Sequence, residues 1–214
     1  MELDLNTTLG EAVPAGHRAG FVSIVGKPNV GKSTLLNALV GTKLAAVTYK
    51  ASTTRHRITG ILNEPAMQVV FLDTPGVIAP KYALHRAMMN QFERALRDSD
   101  VILWMAAPEE KHDENDLFDR LRQQTAPILL VARLHQLTEA VPVADTLVIS
   151  ALKDVNVSGV TELLRDHLPE SPPYFPKDQV SDQPQRFFAA EAIREKVYLT
   201  YRQEVPYATT VVID

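Results

Sequence analysis

Gly26-Lys27-Pro28-Asn29-Val30-Gly31-Lys32-Ser33 lies between the apolar run Phe21-Val22-Ser23-Ile24-Val25 and the stretch Ser33-Thr34-Leu35-Leu36-Asn37-Ala38-Leu39-Val40. Two glycines separated by four residues and followed by Lys-Ser fit the phosphate-loop pattern, which requires a strand before it and a helix after it. Both flanks have that character. Gly26 and Gly31 allow a tight turn whose N–H groups, with the helix N-terminus, face a β-phosphate; Lys32 adds a point charge and Ser33 a Mg²⁺ ligand. The chain is therefore expected to handle a nucleoside triphosphate.

Working outward, Ile58–Leu62 and Gln68–Leu72 read as strands separated by the turn signal Asn63-Glu64-Pro65, a hairpin ending at Asp73. Leu84, Met88, Phe92 and Leu96 recur every fourth residue and predict an amphipathic helix from Tyr82 to Arg97. Further strands are expected at Val101–Met105, Ile128–Val131 and Thr146–Ile149, alternating with helices. The pattern predicts an α/β fold: a three-layer phosphate-loop domain with a mainly parallel sheet. The helix carrying Leu163, Leu164 and Leu168 closes it, and Pro169 with Ser171-Pro172-Pro173-Tyr174-Phe175-Pro176 forms a stiff connector. Beyond it, Arg186–Glu204 places Ala189, Ile193, Val197 and Tyr201 on one helical face, and Thr209–Ile213 alternates like a strand. The expected division is a tail over residues 1–17, the phosphate-loop domain over 18–172, a Pro-rich linker over 173–184 and an incomplete α+β appendage over 185–214.

Composition narrows the function classes. The 214 residues contain no cysteine, which excludes disulfides, thiolate catalysis and Cys-ligated zinc, and the six histidines form no local metal motif. The acidic start Met1–Asn6 lacks an apolar core, and the longest apolar run, Val101–Ala107, is too short to span a bilayer. A cytoplasmic protein is expected. A net charge of −4 argues against a polyanion-coating protein.

Asp73-Thr74-Pro75-Gly76 follows a buried strand, so its carboxylate can reach Mg²⁺ and the Gly76 N–H can sense a γ-phosphate. Between the two motifs, Ser52-Thr53-Thr54-Arg55-His56-Arg57 is a polar segment that can close over a nucleotide and supply a hydroxyl to the metal. Its alternative reading is a solvated loop.

These motifs, together with Ser150-Ala151-Leu152, Gln185–Lys196 and Val205-Pro206-Tyr207, closely resemble the Era family of bacterial ribosome-assembly GTPases, over nearly everything after residue 18. The resemblance implies binding of a guanine nucleotide, GTP or GDP, and slow hydrolysis of GTP to GDP and phosphate. It implies a nucleotide switch through residues 48–57 and 73–82. Residues Gly26, Lys27, Pro28, Asn29, Val30, Gly31, Lys32, Ser33 and Thr34, with Asp73, Thr74 and Gly76, are expected to hold the phosphates. Ser33, Thr54 and Asp73 are expected to serve Mg²⁺, with Thr53 as the alternative to Thr54, and Ser150, Ala151 and Leu152 to back the guanine. Asn29, Lys32, Thr54 and Gly76 are the expected catalytic set. Val77 stands where many GTPases place a water-orienting Gln, so the chain resembles a hydrophobic-substituted subgroup in which the Asn at the Asn29 position holds K⁺ against the phosphates. The alternative for Asn29 is a loop-shaping side chain. The resemblance further implies 16S rRNA and the 30S subunit as partners, peripheral membrane association and a monomer.

Two departures stand out. The family reads guanine through Asn-Lys-x-Asp after the fifth strand, whereas here Val131 is followed by Ala132-Arg133-Leu134-His135, none of which is the required carboxylate. The stretch Ala132–Ala140 reads as the helix that follows that motif, so a deletion is expected rather than a substitution in place. The second departure is the appendage, which resembles the start of an RNA-binding KH domain but lacks its Gly-x-x-Gly loop, with no glycine after Gly159. Its cations Arg186, Arg194, Lys196 and Arg202 are balanced by Glu191, Glu195, Glu204 and Asp214, so RNA binding is expected to be weak or absent. The competing reading of the whole chain is a phosphate-binding module without guanine selectivity or turnover.

Overall fold

The structure, a computed structural model, describes residues 13–50, 53, 54, 56–77, 83–106, 117–132, 141–202 and 205–213. Its strands are β1 (Arg18–Val25), β2 (Ile58–Glu64), β3 (Met67–Asp73), β4 (Val101–Ala106), β5 (Ile128–Ala132) and β6 (Asp145–Val148). They form one sheet in the order β2-β3-β1-β4-β5-β6, in which only the β2–β3 hairpin is antiparallel. The helices are α1 (Lys32–Val40), α2 (Ala83–Arg97), α3 (Leu117–Arg122), α4 (Ser158–His167), α5 (Gln185–Thr200) and the short α6 (Val205–Ala208).

The unbroken apolar strands follow from burial on both faces, since a parallel sheet covered by helices on each side has no wet face to mark by alternation. Successive β4 residues divide cleanly between the two sides. Val101, Leu103 and Met105 join Leu35, Leu39, Val160 and Leu164 beneath α1 and α4. Ile102, Trp104 and Ala106 join Phe92, Leu96, Phe118 and Leu121 beneath α2 and α3. These are the three expected layers.

Register aligns the functional ends. In the parallel pair β1–β3, Ile24 stands opposite Asp73, so the phosphate loop and Asp73-Thr74-Pro75-Gly76 leave the sheet side by side. Ligands of such sheets bind at the carboxyl ends of the strands, where the strand order reverses.

Several expectations change on the structure. Of the apolar stripe on α2, Met88, Phe92 and Leu96 are buried, but Leu84 in the first turn is 45% exposed and borders a pocket shared with His56, Glu191 and Arg194; Tyr82 lies outside the described residues. The Pro-rich connector is strapped to the sheet. Gln68 accepts from the Tyr174 and Phe175 N–H groups and donates to the Phe175 carbonyl. Ile61 N–H donates to Val180 O, and Ser181 Oγ donates to Thr59 O. This covers the otherwise open edge strand β2, a vulnerable feature of any sheet.

The tail departs most. α5 ends at Thr200, and its covered face is Glu191, Arg194, Glu195 and Tyr198, while Ile193 and Tyr201 from the expected apolar face are 47% and 53% exposed. Thr209–Ile213 forms no strand, because a strand needs a hydrogen-bonded neighbour and the described residues offer none there. Ala132 closes β5 rather than opening a helix; residues 133–140, where that helix was expected, lie outside the described residues, as do positions 51, 52, 55 and 78–82 of the expected switches and nearly all of the expected tail, 1–12.

Candidate functional site: a phosphate cleft at the strand ends

The loop from Gly26 to Gly31 can only be built with glycine at its two ends. Gly26 has φ 149° and a Cβ there would lie 2.4 Å from Met105 O; Gly31 has φ 107° and caps α1. L-residues rarely adopt such angles. Asn29 also takes a left-handed φ of 63°, and its Nδ2 donates to Tyr49 O at 2.9 Å. The loop-shaping role and a contact across the cleft therefore coexist in one residue.

Lys32, 6% exposed, folds back over the loop so that Nζ donates to the Gly26 carbonyl at 3.1 Å and to the Lys27 carbonyl at 2.9 Å. Gly76 packs against the same loop: a Cβ there would meet Pro28 N at 2.7 Å and Cα at 2.8 Å. Thr74 Oγ1 donates to Ile24 O, tying this turn to β1. Val77 donates its N–H to Gly26 O, and its side chain is buried with Val25, Met89 and Trp104. It cannot orient water.

At the centre, Asp73 is fully buried. Its Oδ2 accepts from Ser33 Oγ at 2.7 Å and from Thr54 Oγ1 at 3.5 Å, and the two hydroxyls are 3.1 Å apart. Its Oδ1 is buried without a hydrogen-bond partner. Burial pushes the carboxyl up to about 6, against the pull of the Lys32 charge and the hydrogen bonds from Ser33 and Thr54. An orphaned carboxylate oxygen beside two hydroxyls is a set of hard oxygen donors, the chemistry that suits Mg²⁺. Thr54, not Thr53, is the hydroxyl brought to this cluster; Thr53 Oγ1 instead contacts Thr48 Oγ1 at 2.5 Å and donates to Lys50 O at 2.7 Å.

The cleft holds about 380 Å³ and is bounded by Pro28, Asn29 and Gly31–Thr34 on one side, Ala46–Tyr49 with Thr53 and Thr54 on the other, and Gly76. Ser150-Ala151-Leu152 is not among those wall residues; it lies in a turn closed by Ser150 N–H to Val155 O, with Ala151 packed on the core against α1 and Leu152 86% exposed. The sequence reading missed the polar face of α5, which bonds to Lys43, Val47 and Thr53. Its charges at i and i+3 resemble an ordinary solvated helix face, and only the packing distinguishes them.

A parallel-sheet phosphate-loop fold, with the Lys-Ser pair and the Asp-Thr-Pro-Gly turn brought together at one edge, defines a P-loop GTPase domain. Residues 21–133 match the family described as 50S ribosome-binding GTPase. GTPase Era of Geobacter metallireducens is 42% identical over 212 residues, covering 92% of this chain and 71% of the relative; its counterpart in Geotalea daltonii is 38% identical over 211 residues, with the same coverage. Two solved structures are 36% identical. A variant of Aquifex aeolicus Era bound to GDP and AlF4⁻ superposes with a TM-score of 0.81 over 88% of this chain and 70% of that one. Era in complex with MgGDPNP and nucleotides 1506–1542 of 16S rRNA does so with 0.82 over 90% and 70%. The chain belongs to the Era family of GTPases.

Among the described residues no helix is long and apolar enough to cross a membrane, and no three His, Asp or Glu side chains gather as a metal cluster.

Proposed function

We propose that residues 18–172 act as the GTPase domain, binding a Mg²⁺-nucleotide in the cleft and hydrolysing GTP slowly, with 173–184 as a linker and 185–214 as a KH-like segment. The observation that carries this reading is the convergence of Lys32, Ser33, Thr54 and the orphaned Asp73 oxygen at the mouth of the phosphate loop. Ser33 and Thr54 would hold Mg²⁺, with Asp73 behind them; the ion supplies charge neutralisation for the phosphates. Lys32 exchanges the carbonyls of Gly26 and Lys27 for phosphate oxygens, and the N–H groups of the loop face the same anion. The Gly76 N–H is the sensor of a terminal phosphate.

With Val77 buried, the orienting of water falls to other groups. Asn29 is the candidate to hold K⁺ against the phosphates, and its side chain stands at the rim of the cleft, where Nδ2 donates to Tyr49 O.

A second reading, a phosphate-binding module without base selectivity, is favoured by β5 ending at Ala132, directly followed in sequence by Arg133 rather than by a base-reading motif. A site that loses its partner for a buried donor loses up to about 10⁴ in discrimination, so GTP and ATP are expected to bind within about tenfold of each other. One similar structure is Era in complex with MgGDPNP and nucleotides 1506–1542 of 16S rRNA. We infer a parent role in small-subunit assembly, a cytoplasmic, monomeric chain with at most peripheral membrane association, and weak rRNA contact for the residues present here.

Calorimetry with GDP, GTP and ATP tests both readings. Lys32→Ala is expected to cost about 3 kcal/mol or more in nucleotide binding, because clustered phosphate charge loses its buried cation. Unchanged affinity in that variant would remove the phosphate-loop assignment, and strong GTP preference in the unsubstituted chain would remove the second reading.

A further inference from the structure

We propose that Arg194 and Glu195 of α5 are positioning residues for the GTPase site, holding the segment that carries Thr54 against Ser33 and Asp73. The inference deepens the functional reading above and rests on it.

The contacts are directed at backbone. Arg194 Nη1 donates to the carbonyl of Thr53 at 2.5 Å, so the peptide unit leading into Thr54 is gripped from outside. Glu191 fixes the guanidinium from the same helix, accepting from Nε at 2.8 Å and from Nη2. The Arg194 guanidinium carbon lies 5.4 Å from the ring centre of Tyr198, which is fully buried. One residue on, Glu195 accepts the Val47 N–H at 3.0 Å and pairs with Lys43 Nζ at 2.5 Å. Lys50 Nζ donates to the carbonyls of Tyr198 and Tyr201. Lys43, Val47, Lys50 and Thr53 are thus each held to α5, while Asn29 holds Tyr49 O from the cleft side.

Energetics separate this arrangement from ordinary docking. Glu191, Arg194 and Glu195 are 7%, 4% and 4% exposed, while Ile193 and Leu199 on the same helix are 47% and 44% exposed. Burying charge is costly unless each group is paired and hydrogen-bonded, whereas burying the apolar face would stabilise directly. The helix presents the costly face to the loop. What that face provides is satisfaction of loop N–H and C=O groups in one register, which apolar side chains cannot do. For Glu195, burial alone would push the carboxyl up; the Lys43 hydrogen bond and charge, the Val47 N–H and the Lys196 charge outweigh it and hold it below 4.5. The anchor is charged at neutral pH.

Positioning of a metal-binding hydroxyl is sensitive to small displacements, with about 1 Å worth up to 10²-fold in rate. The test compares the full chain with Arg194→Met, Arg194→Lys and Glu195→Ala, after circular dichroism has established that each is folded. Three readouts are taken: affinity for a fluorescent non-hydrolysable GTP analogue in EDTA, the Mg²⁺ concentration that half-maximally slows its release, and hydrogen exchange of the Val47 amide. The expected result is EDTA affinity within twofold, a rise of about tenfold or more in the Mg²⁺ midpoint for Arg194→Met, partial rescue by Arg194→Lys, and faster Val47 exchange in Glu195→Ala. Lys can reach the Thr53 carbonyl but cannot form the paired contact with Glu191, which is why rescue is partial. Variants with lower melting temperature but an unchanged Mg²⁺ midpoint would show a purely structural helix and overturn the proposal. If Arg194→Met does not fold, Glu195→Ala decides on the same criterion. An unsubstituted chain that binds no nucleotide would overturn the functional reading itself.

Discussion

Replacing Asp73 by Asn removes the most strained electrostatic element of the cleft while keeping its shape. The carboxyl titrates at about 6 in the folded protein against an ordinary 3.8, chiefly because it is fully buried. Holding it ionised therefore costs the native state up to about 3 kcal/mol, a figure that already includes the attraction of Lys32. A raised acid pKa means that the native protein takes up the proton before the unfolded chain does. The cost is full above pH 6, declines as pH falls from about 6 to 3.8, and is absent below 3.8. Asn carries no such cost, and its amide oxygen can still accept from Ser33. In EDTA at pH 7.5, Asp73→Asn is expected to melt higher by up to about 6–12 °C, taking about 2–4 °C per kcal/mol for a chain of this size. The gap should close as the pH approaches 4. Adding GDP with Mg²⁺ should reverse the order, because only the carboxylate supports the cation. Differential scanning fluorimetry over pH 4–8, with and without the ion, measures all three effects. A variant that melts lower than the unsubstituted chain in EDTA, by an amount independent of pH, would refute the assignment of Asp73 as a desolvated carboxylate awaiting a cation.

Two further outcomes are expected. Asn29→Ala should abolish any K⁺ stimulation of GTP hydrolysis, measured as phosphate release in KCl against NaCl; equal rates of the unsubstituted chain in the two salts would dispose of the K⁺ role. In gel-shift titrations at physiological salt, this chain should bind the 3′ end of small-subunit rRNA more weakly than micromolar in either nucleotide state, since it lacks a Gly-x-x-Gly loop and excess positive charge in its tail. Sub-micromolar, sequence-selective binding would move the RNA site onto the GTPase domain.

The local signals were strong wherever chemistry demanded a particular residue at a particular spacing. Gly26 and Gly31 were legible because no side chain fits their backbone, and the order of strands and helices followed from apolar runs too continuous for a half-wet sheet. The pairing register that sets Ile24 opposite Asp73 was not legible, but the motifs at both strand ends implied that they meet. The choice between Thr53 and Thr54 needed the fold: adjacent residues of one type differ only in which way their hydroxyls point, and packing sends Thr54 to Asp73 and Thr53 to Lys50. The tail was misread for a related reason. Helical periodicity finds the face that would bury most apolar area, yet α5 buries Glu191, Arg194 and Glu195 because the loop it covers is rich in backbone donors and acceptors. Likewise, alternation in Thr209–Ile213 states a preference for extended backbone, and a strand exists only where a neighbour accepts its hydrogen bonds. Sequence alone thus determined the class of nucleotide site and the sheet that bears it, because those depend on local conformation and burial period; which polar groups far apart in the chain face one another was decided by tertiary packing, since each such pairing is the property of two surfaces and not of either stretch of chain.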